Sequence, residues 1–302
     1  MSHNKMASFQ TEPAKDIEEK IKAFVTSSPL NRMPSSREYI IFDEPLIRFA
    51  DGDDTLYNDY KTIISPSHLT PREAFAQGLG KNINDLPVQL AIISWVLPIT
   101  EKTRRSNRRE KEVPSRLWSH TRWYGEQFNN ILRRHVEQII NEMGYLAVAP
   151  ILQPYFREMA NREVGLFSTW SERHTAYVAG HGTFSLSDGF ITEHGIAHRC
   201  GSVITDLPII PSKRNVNNHY SNCLFYVDGS CKACIKRCPA GAITEKGHDK
   251  IKCMNWLRYI GYLPLSVEYK DKTSVAGCGL CQVKVPCEYR IPSKIEKLGR
   301  GN

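Results

Sequence analysis

The sequence lacks any hydrophobic run long enough to cross a bilayer. The longest, Leu90–Ile99, falls far short of the ~20 apolar residues that a spanning helix needs. The opening residues, MSHNKMASFQTEPAKD, lack the basic-then-apolar order of a secretory signal. Arg104-Arg105 is internal and followed by charge, unlike a twin-arginine export signal. There is no low-complexity tract, and no internal repeat outside the cysteine region. No third glycine follows Gly180-His181-Gly182 at the dinucleotide-binding spacing, and Glu172–Ala179 ahead of it reads as helix, not strand. The expectation is a cytoplasmic protein with no membrane segment. Its 302 residues allow one large domain or two smaller ones, and 41% hydrophobic with 24% charged residues is ordinary for a globular chain.

Cysteine is where the composition becomes specific. The stretch Cys223–Cys238 reads C-LFYVDGS-C-KA-C-IKR-C-P, with Cys223, Cys231, Cys234 and Cys238. Cys253, Cys278-G-L-Cys281 and Cys287 follow, so eight thiols fall within 65 residues. Two 4Fe-4S clusters need eight thiolates, and C-x2-C-x3-C-P is the bacterial ferredoxin signature, in which the last cysteine of a run ligates the other cluster. On that pattern Cys223, Cys231 and Cys234 hold the first cluster with Cys287, and Cys238 joins Cys253, Cys278 and Cys281 around the second.

Two rivals are weaker. Disulfide frameworks belong to short secreted chains. A zinc site would use four thiols and leave Cys223, Cys238, Cys253 and Cys287 without a role. Seven residues separate Cys223 from Cys231 and five separate Cys281 from Cys287, both longer than usual. Both gaps fall on the first cluster, which is therefore expected to be the more labile. Cys200 stands outside the set and reads as a lone half-buried thiol.

Periodicity organises the rest. Asp16–Ser27 places Ile17, Ile21, Phe24 and Val25 on one helical face. Val88–Leu97 is a β-branched apolar run ending at Pro98, as a buried strand would. Phe128, Ile131, Leu132, His135, Val136, Ile139 and Met143 recur at helical steps and predict a helix over Arg122–Met143, ended by Gly144. Tyr145–Ala149 and Ser202–Leu207 read as strands, and residues 30–80 resist assignment. The order predicts an α/β or α+β layer domain over residues 1–212. Pro211–His219 reads as a linker into a cysteine domain over residues 213–302. The formal charge is +8, with a basic excess in Lys102–Lys111 and Arg133-Arg134. Such a surface either binds an acidic partner or nucleic acid, or is a solvated loop.

Glu172-Arg173-x-x-Ala176-x-x-Ala179-Gly180-x-Gly182, the strand-like Ile191–Gly195, Ser202–Pro208 and the Cys-Pro motif together resemble the epoxyqueuosine reductase and reductive dehalogenase superfamily. The likeness runs from about Arg122 to Cys287. It implies a nitroreductase-like cofactor domain ahead of a ferredoxin-like domain with two 4Fe-4S clusters, and a base-off cobalamin that reduces a substrate. The absence of a D-x-H-x-x-G motif agrees with base-off binding. The corrin-gripping positions that the resemblance implies are Ser168, Thr169, Gly180, Gly182, Thr183, Phe184, Ser185 and Leu186.

One departure matters. Leu166 stands where epoxyqueuosine reductases carry an aspartate proton donor. Glu172, Tyr177 and His181 are the nearest groups able to move a proton. The leading expectation is a corrinoid-dependent iron–sulfur reductase, with an electron donor such as a ferredoxin or flavodoxin and a small-molecule substrate. The alternative is an electron-transfer or corrinoid-activating protein without its own substrate. A third reading docks tRNA on Arg104–Arg109, against which the missing aspartate counts.

Overall fold

In the computed structural model, which describes residues 3–34, 36–161, 163–216, 218–261 and 277–299, the chain is an α+β protein. Helix α1 (His3–Ser27) leads into a ribbon of β1 (Arg32–Met33) and β2 (Ser36–Ile40), then β3 (Leu46–Asp51), α2 (Leu56–Ile63) and α3 (Pro71–Leu79). Next come β4 (Ala91–Pro98), α4 (Glu101–Arg108), α5 (Arg116–Glu142) and β5 (Ala147–Val148). The paired strands β6 (Glu158–Asn161) and β7 (Gly165–Ser168) precede α6 (Glu172–Val178), the pair β8 (Gly182–Phe184) and β9 (Phe190–Thr192), and β10 (His198–Thr205). The cysteine-bearing part holds α7 (Leu224–Asp228), α8 (Ala233–Arg237), a ribbon of β11 (Ile243–Thr244) and β12 (Gly247–His248), α9 (Lys250–Gly261) and α10 (Ser293–Gly299).

The central sheet runs β3-β4-β10-β5, and every pairing in it is antiparallel. All eight residues of β4 are buried, so its apolar run covers both faces instead of alternating. One face packs on α5 through Phe128, Leu132, Val136 and Ile140, with Ile17, Ile21 and Val25 of α1 behind them. Phe24 stacks on His135 of α5 with ring centroids 4.0 Å apart. The Trp95 indole donates to Asn129 Oδ1 at 2.8 Å, satisfying a buried N–H. The opposite face carries Tyr57, Tyr60, Phe75 and Trp170 from α2, α3 and the start of α6.

Several boundaries differ from the sequence expectation. Strand β4 begins at Ala91, and Val88 is 94% exposed. Helix α5 begins six residues before Arg122, because the Ser115 hydroxyl accepts the Trp118 N–H at 3.1 Å and caps it there. The basic stretch Lys102–Lys111 is mostly helix, not a solvated loop. The unassigned region before residue 80 contains two helices. The second is fixed by a capping box: Thr70 Oγ1 accepts from Glu73 N while Glu73 Oε2 accepts from Thr70 N at 2.8 Å.

Residues 211–216 have no helix or strand but are stitched to the first part of the chain. Ser212 N donates to the Phe49 carbonyl at 2.8 Å, and Arg214 pairs with Asp54 at 3.0 Å. A third core cluster joins Leu186, Ile191 and Ile196 to Cys223, Ile243 and Val285. The cysteine-bearing part is thus packed on residues 182–197. Gly195, at φ +78°, shows how closely: a Cβ there would lie 2.4 Å from the Tyr289 backbone nitrogen. Among the described residues no helix is long and apolar enough to cross a membrane.

Candidate functional site

The thiols are set by short turns. Cys223 caps α7, Cys234 sits in α8, Cys238 ends it, and Cys253 lies in α9. Cys278 and Cys281 flank the start of a single 3-10 turn, Leu280–Gln282. All nine cysteines are free. Cys223, Cys231, Cys234 and Cys287 line one small cavity with Ile191 and Ile196. Cys238, Cys253, Cys278 and Cys281 line a larger one of about 250 Å³, and Cys281 borders both.

Electrostatics follows the same division. Burial, then Cys223, Cys234 and Cys231, drive the Cys287 thiol far up. Burial, Cys253 and Cys238 together raise Cys278 to about 11. Four crowded, desolvated thiols cannot all ionise without cations among them. Among the described residues no three His, Cys, Asp or Glu side chains converge as they would on one metal ion. A cubane spreads its thiolates over four irons, so this donor set suits two four-thiolate clusters better than zinc.

Two contacts that brace the cysteine loops are absent from the sequence motifs. Arg237 Nε donates to the Leu280 and Val283 carbonyls, both at 3.2 Å, and its Nη1 to Glu110 O at 2.8 Å. The buried Glu288, next to Cys287, takes Arg108 Nη2 at 2.7 Å and the Lys284 N–H at 2.7 Å. Lys284 holds φ +58°, a left-handed position that this carboxylate fixes. Arg108 of the basic stretch therefore serves the fold.

A groove of about 340 Å³ opens beside β7 and α6, lined by Tyr60, Phe167, Ser168, Tyr177, Phe184, Asp188 and Lys250. Leu166, 40% exposed, lies on its wall with no carboxylate in its place. Of the eight expected corrin positions, Ser168 and Phe184 line this groove. The other six do not line it, and Ser185 lines the smaller cysteine cavity instead. Thr169 Oγ1 accepts from Arg157 N at 3.0 Å, and Thr183 Oγ1 from Asn222 N at 2.8 Å. Ser185 bonds Ser187 at 3.0 Å, and Leu186 is buried in the third core cluster. The glycines are used for packing on protein backbone. A Cβ at Gly182 would lie 2.0 Å from the Ile191 carbonyl oxygen, and one at Gly180 2.9 Å from that of Lys213.

The three proton-transfer candidates separate. Tyr177 faces the groove, with the Arg214 guanidinium 5.6 Å from its ring centroid. Glu172 is buried against Arg133 Nη2 at 3.0 Å and accepts the Ser202 hydroxyl at 2.5 Å. Burial pushes its pKa up, while Arg133 and Ser202 oppose that. His181 is buried with Nε2 3.1 Å from the Ser94 carbonyl, so that nitrogen carries the proton and donates it. Among the described residues its Nδ1 has no hydrogen-bond partner, and burial pulls its pKa down to about 3. Cys200 is half-buried with Sγ 3.6 Å from His198 Nδ1, and desolvation and Glu172 raise its thiol to about 12.

No family model matches the chain. An epoxyqueuosine reductase of Francisella cf. novicida (strain Fx1) is 40% identical over 72 residues, which are 23% of this chain and 20% of that protein. One of Staphylococcus aureus (strain NCTC 8325 / PS 47) is 22% identical over 205 residues, 67% of this chain and 49% of that protein. The chain thus spans half or less of the curated relatives it matches. A solved epoxyqueuosine reductase from Bacillus subtilis superposes with a TM-score of 0.45 at 18% identity, over 91% of this chain and 66% of that one. By sequence, the chain is similar to epoxyqueuosine reductases over part of its length.

Proposed function

We propose that this protein is an iron–sulfur oxidoreductase with a 4Fe-4S cluster on Cys223, Cys231, Cys234 and Cys287 and a second on Cys238, Cys253, Cys278 and Cys281. A base-off cobalamin in the groove beside Ser168 and Phe184 completes it. The observation that carries this reading is the gathering of the eight thiols at two neighbouring cavities, with Cys281 bordering both. When bound, the clusters supply single electrons and the corrin a strongly reducing metal for a substrate bond.

The chain's own residues do the rest. Residues 1–212 form the cofactor part, and residues 213–302 bring the thiols against it through Leu186, Ile191 and Ile196. Phe167, Tyr177 and Phe184 offer aromatic faces to a flat macrocycle, while Arg173 and Lys250 offer charge to its polar rim. Tyr177 takes the proton-donor role, being the candidate whose side chain lines the groove. Glu172 ties α6 to α5 through Arg133 and to β10 through Ser202, and His181, just before β8, is tied to β4 through Ser94. An acidic electron-donor protein such as a ferredoxin or flavodoxin fits the net charge of +8.

Anaerobic reconstitution with iron, sulfide and cobalamin tests the reading. About eight irons per chain and a bound corrinoid spectrum are expected, with Cys253→Ser and Cys287→Ser each losing roughly half the iron. Tyr177→Phe should keep iron and corrinoid while slowing turnover about 10²- to 10⁴-fold. A colourless, iron-free wild-type preparation rejects the proposal.

A further inference from the structure

The cavity beside Cys238, Cys253, Cys278 and Cys281 has a second wall of a different kind, made by Arg122 of α5 and Arg199 of β10. Three guanidinium groups gather there around two carboxylates. Arg133 takes one oxygen of each, with Nη1 3.0 Å from Glu126 and Nη2 3.0 Å from Glu172. The second Glu172 oxygen accepts the Ser202 hydroxyl. Arg199 Nη2 lies 2.9 Å from the second Glu126 oxygen, yet neither Nη2 nor Nε makes a directed hydrogen bond. Among the described residues, no ion pair or hydrogen bond engages the Arg122 guanidinium.

Glu158 also lends Arg122 negative charge, yet among the described residues no directed hydrogen bond reaches its fork or Nη2 and Nε of Arg199. A donor shielded from water without an acceptor is costly. The strain is visible in the pair itself: the charge of Arg199, then burial, pulls Arg122 down to about 10. Two forked donors left short of acceptors at a cavity wall are what a planar oxyanion satisfies.

We propose that Arg122 and Arg199 bind an oxyanion of the substrate, a carboxylate or a phosphate, at this wall of the cavity, beside the thiols assigned to the second cluster. The proposal rests on the function given above and adds a substrate class to it: a small anionic molecule. Arg173 lines both this cavity and the groove. A molecule anchored by its anion at Arg122 and Arg199 can thus extend past Arg173 toward the groove.

The test is calorimetric titration of the cluster-loaded protein with inorganic pyrophosphate and with succinate, repeated on Arg122→Gln, Arg199→Gln and, as a control, Arg105→Gln on the exposed side of α4. At least one anion should bind, and each cavity variant should weaken it about 10- to 100-fold, the worth of a charge-assisted hydrogen bond. Arg122→Lys, which keeps the charge but not the fork, should fall between, and the control should match wild type. Iron content measured alongside separates the claims. Normal iron with no anion binding, or with binding indifferent to Arg122, overturns the anion site and leaves the cluster reading standing; absent iron overturns both. Competition by cobalamin but not by cobinamide, which lacks the nucleotide phosphate, would assign the oxyanion to the corrinoid and reject the substrate. A shifted cluster potential in Arg122→Gln without any change in anion binding rejects it too.

Discussion

At the scale of single residues, the sequence is most explicit about sulfur and least explicit about charge. The cysteine spacing marks the eight thiols that gather at two neighbouring cavities, Cys281 bordering both, because each run is short and its turns leave little freedom. No comparable pattern announces Arg133 with Glu172, 39 residues apart, or Arg108 with Glu288, 180 apart. Only the fold brings such partners together. His181 shows the same limit, since a histidine between two glycines looks like a ligand-approach loop and proves to be a buried brace. Its protonation chemistry gives a direct prediction. The folded pKa of about 3 lies below the ordinary imidazole value, so the unfolded chain takes up a proton first as pH falls. Stability contributed by neutral His181 is present above pH ~6.5 and is lost progressively between there and about pH 3, at roughly 1.4 kcal/mol per pH unit. In urea denaturation at pH 7.5 and 5.5, His181→Gln should therefore gain on wild type as the pH drops. Parallel losses in the two proteins would reject this account of the buried imidazole.

Among elements, legibility follows the strength of the period. Strand β4 and helix α5 stand out because one is buried throughout and the other buries a long apolar face, so the apolar residues report the geometry directly. The early start of α5 was hidden, since Ser115 marks it by a cap and not by hydrophobic period. Helix α3 was hidden for a similar reason: T-P-R-E announces a start at Thr70, but the nine residues after Thr70 carry only a weak apolar stripe. Its stability must lean on that cap. Thr70→Ala removes the acceptor for the Glu73 N–H and loosens the reciprocal bond that Glu73 makes. The expected cost is about 1 kcal/mol, read as a lower urea midpoint with an unchanged slope. Thr70→Ser, which restores the oxygen, should recover most of it. If alanine and serine behave alike, the capping box is not what holds α3.

On the scale of the whole molecule, the boundary near residue 212 marks a change of chemistry more than a break in packing. Leu186, Ile191 and Ile196 share a core with Cys223, Ile243 and Val285, and Val283 reaches the core under the main sheet. Among the described residues three backbone bonds cross between the parts: the Phe184 N–H donates to the His219 carbonyl at 2.7 Å, the Ile196 N–H to that of Cys287 at 2.8 Å, and the Ala197 N–H to that of Glu288 at 3.3 Å. Metal bound by the thiols should therefore stabilise residues well outside the cysteine segment, as ligand binding to the folded state alone must. Removing iron anaerobically with a chelator should speed amide exchange at Ile196, Ala197 and β9, not only at residues 223–287. Amides of β4 and of α5 around Leu132–Ile140, buried in a core that includes no thiol, should stay protected. Exchange that rises only within the cysteine segment would mean the two parts are energetically separate despite their shared core. Exchange that rises everywhere at once would mean the metal holds up the entire fold. The packing of Ile191 and Ile196 against the thiol-bearing turns places the expected result between these extremes, with a boundary of protection lying along β10.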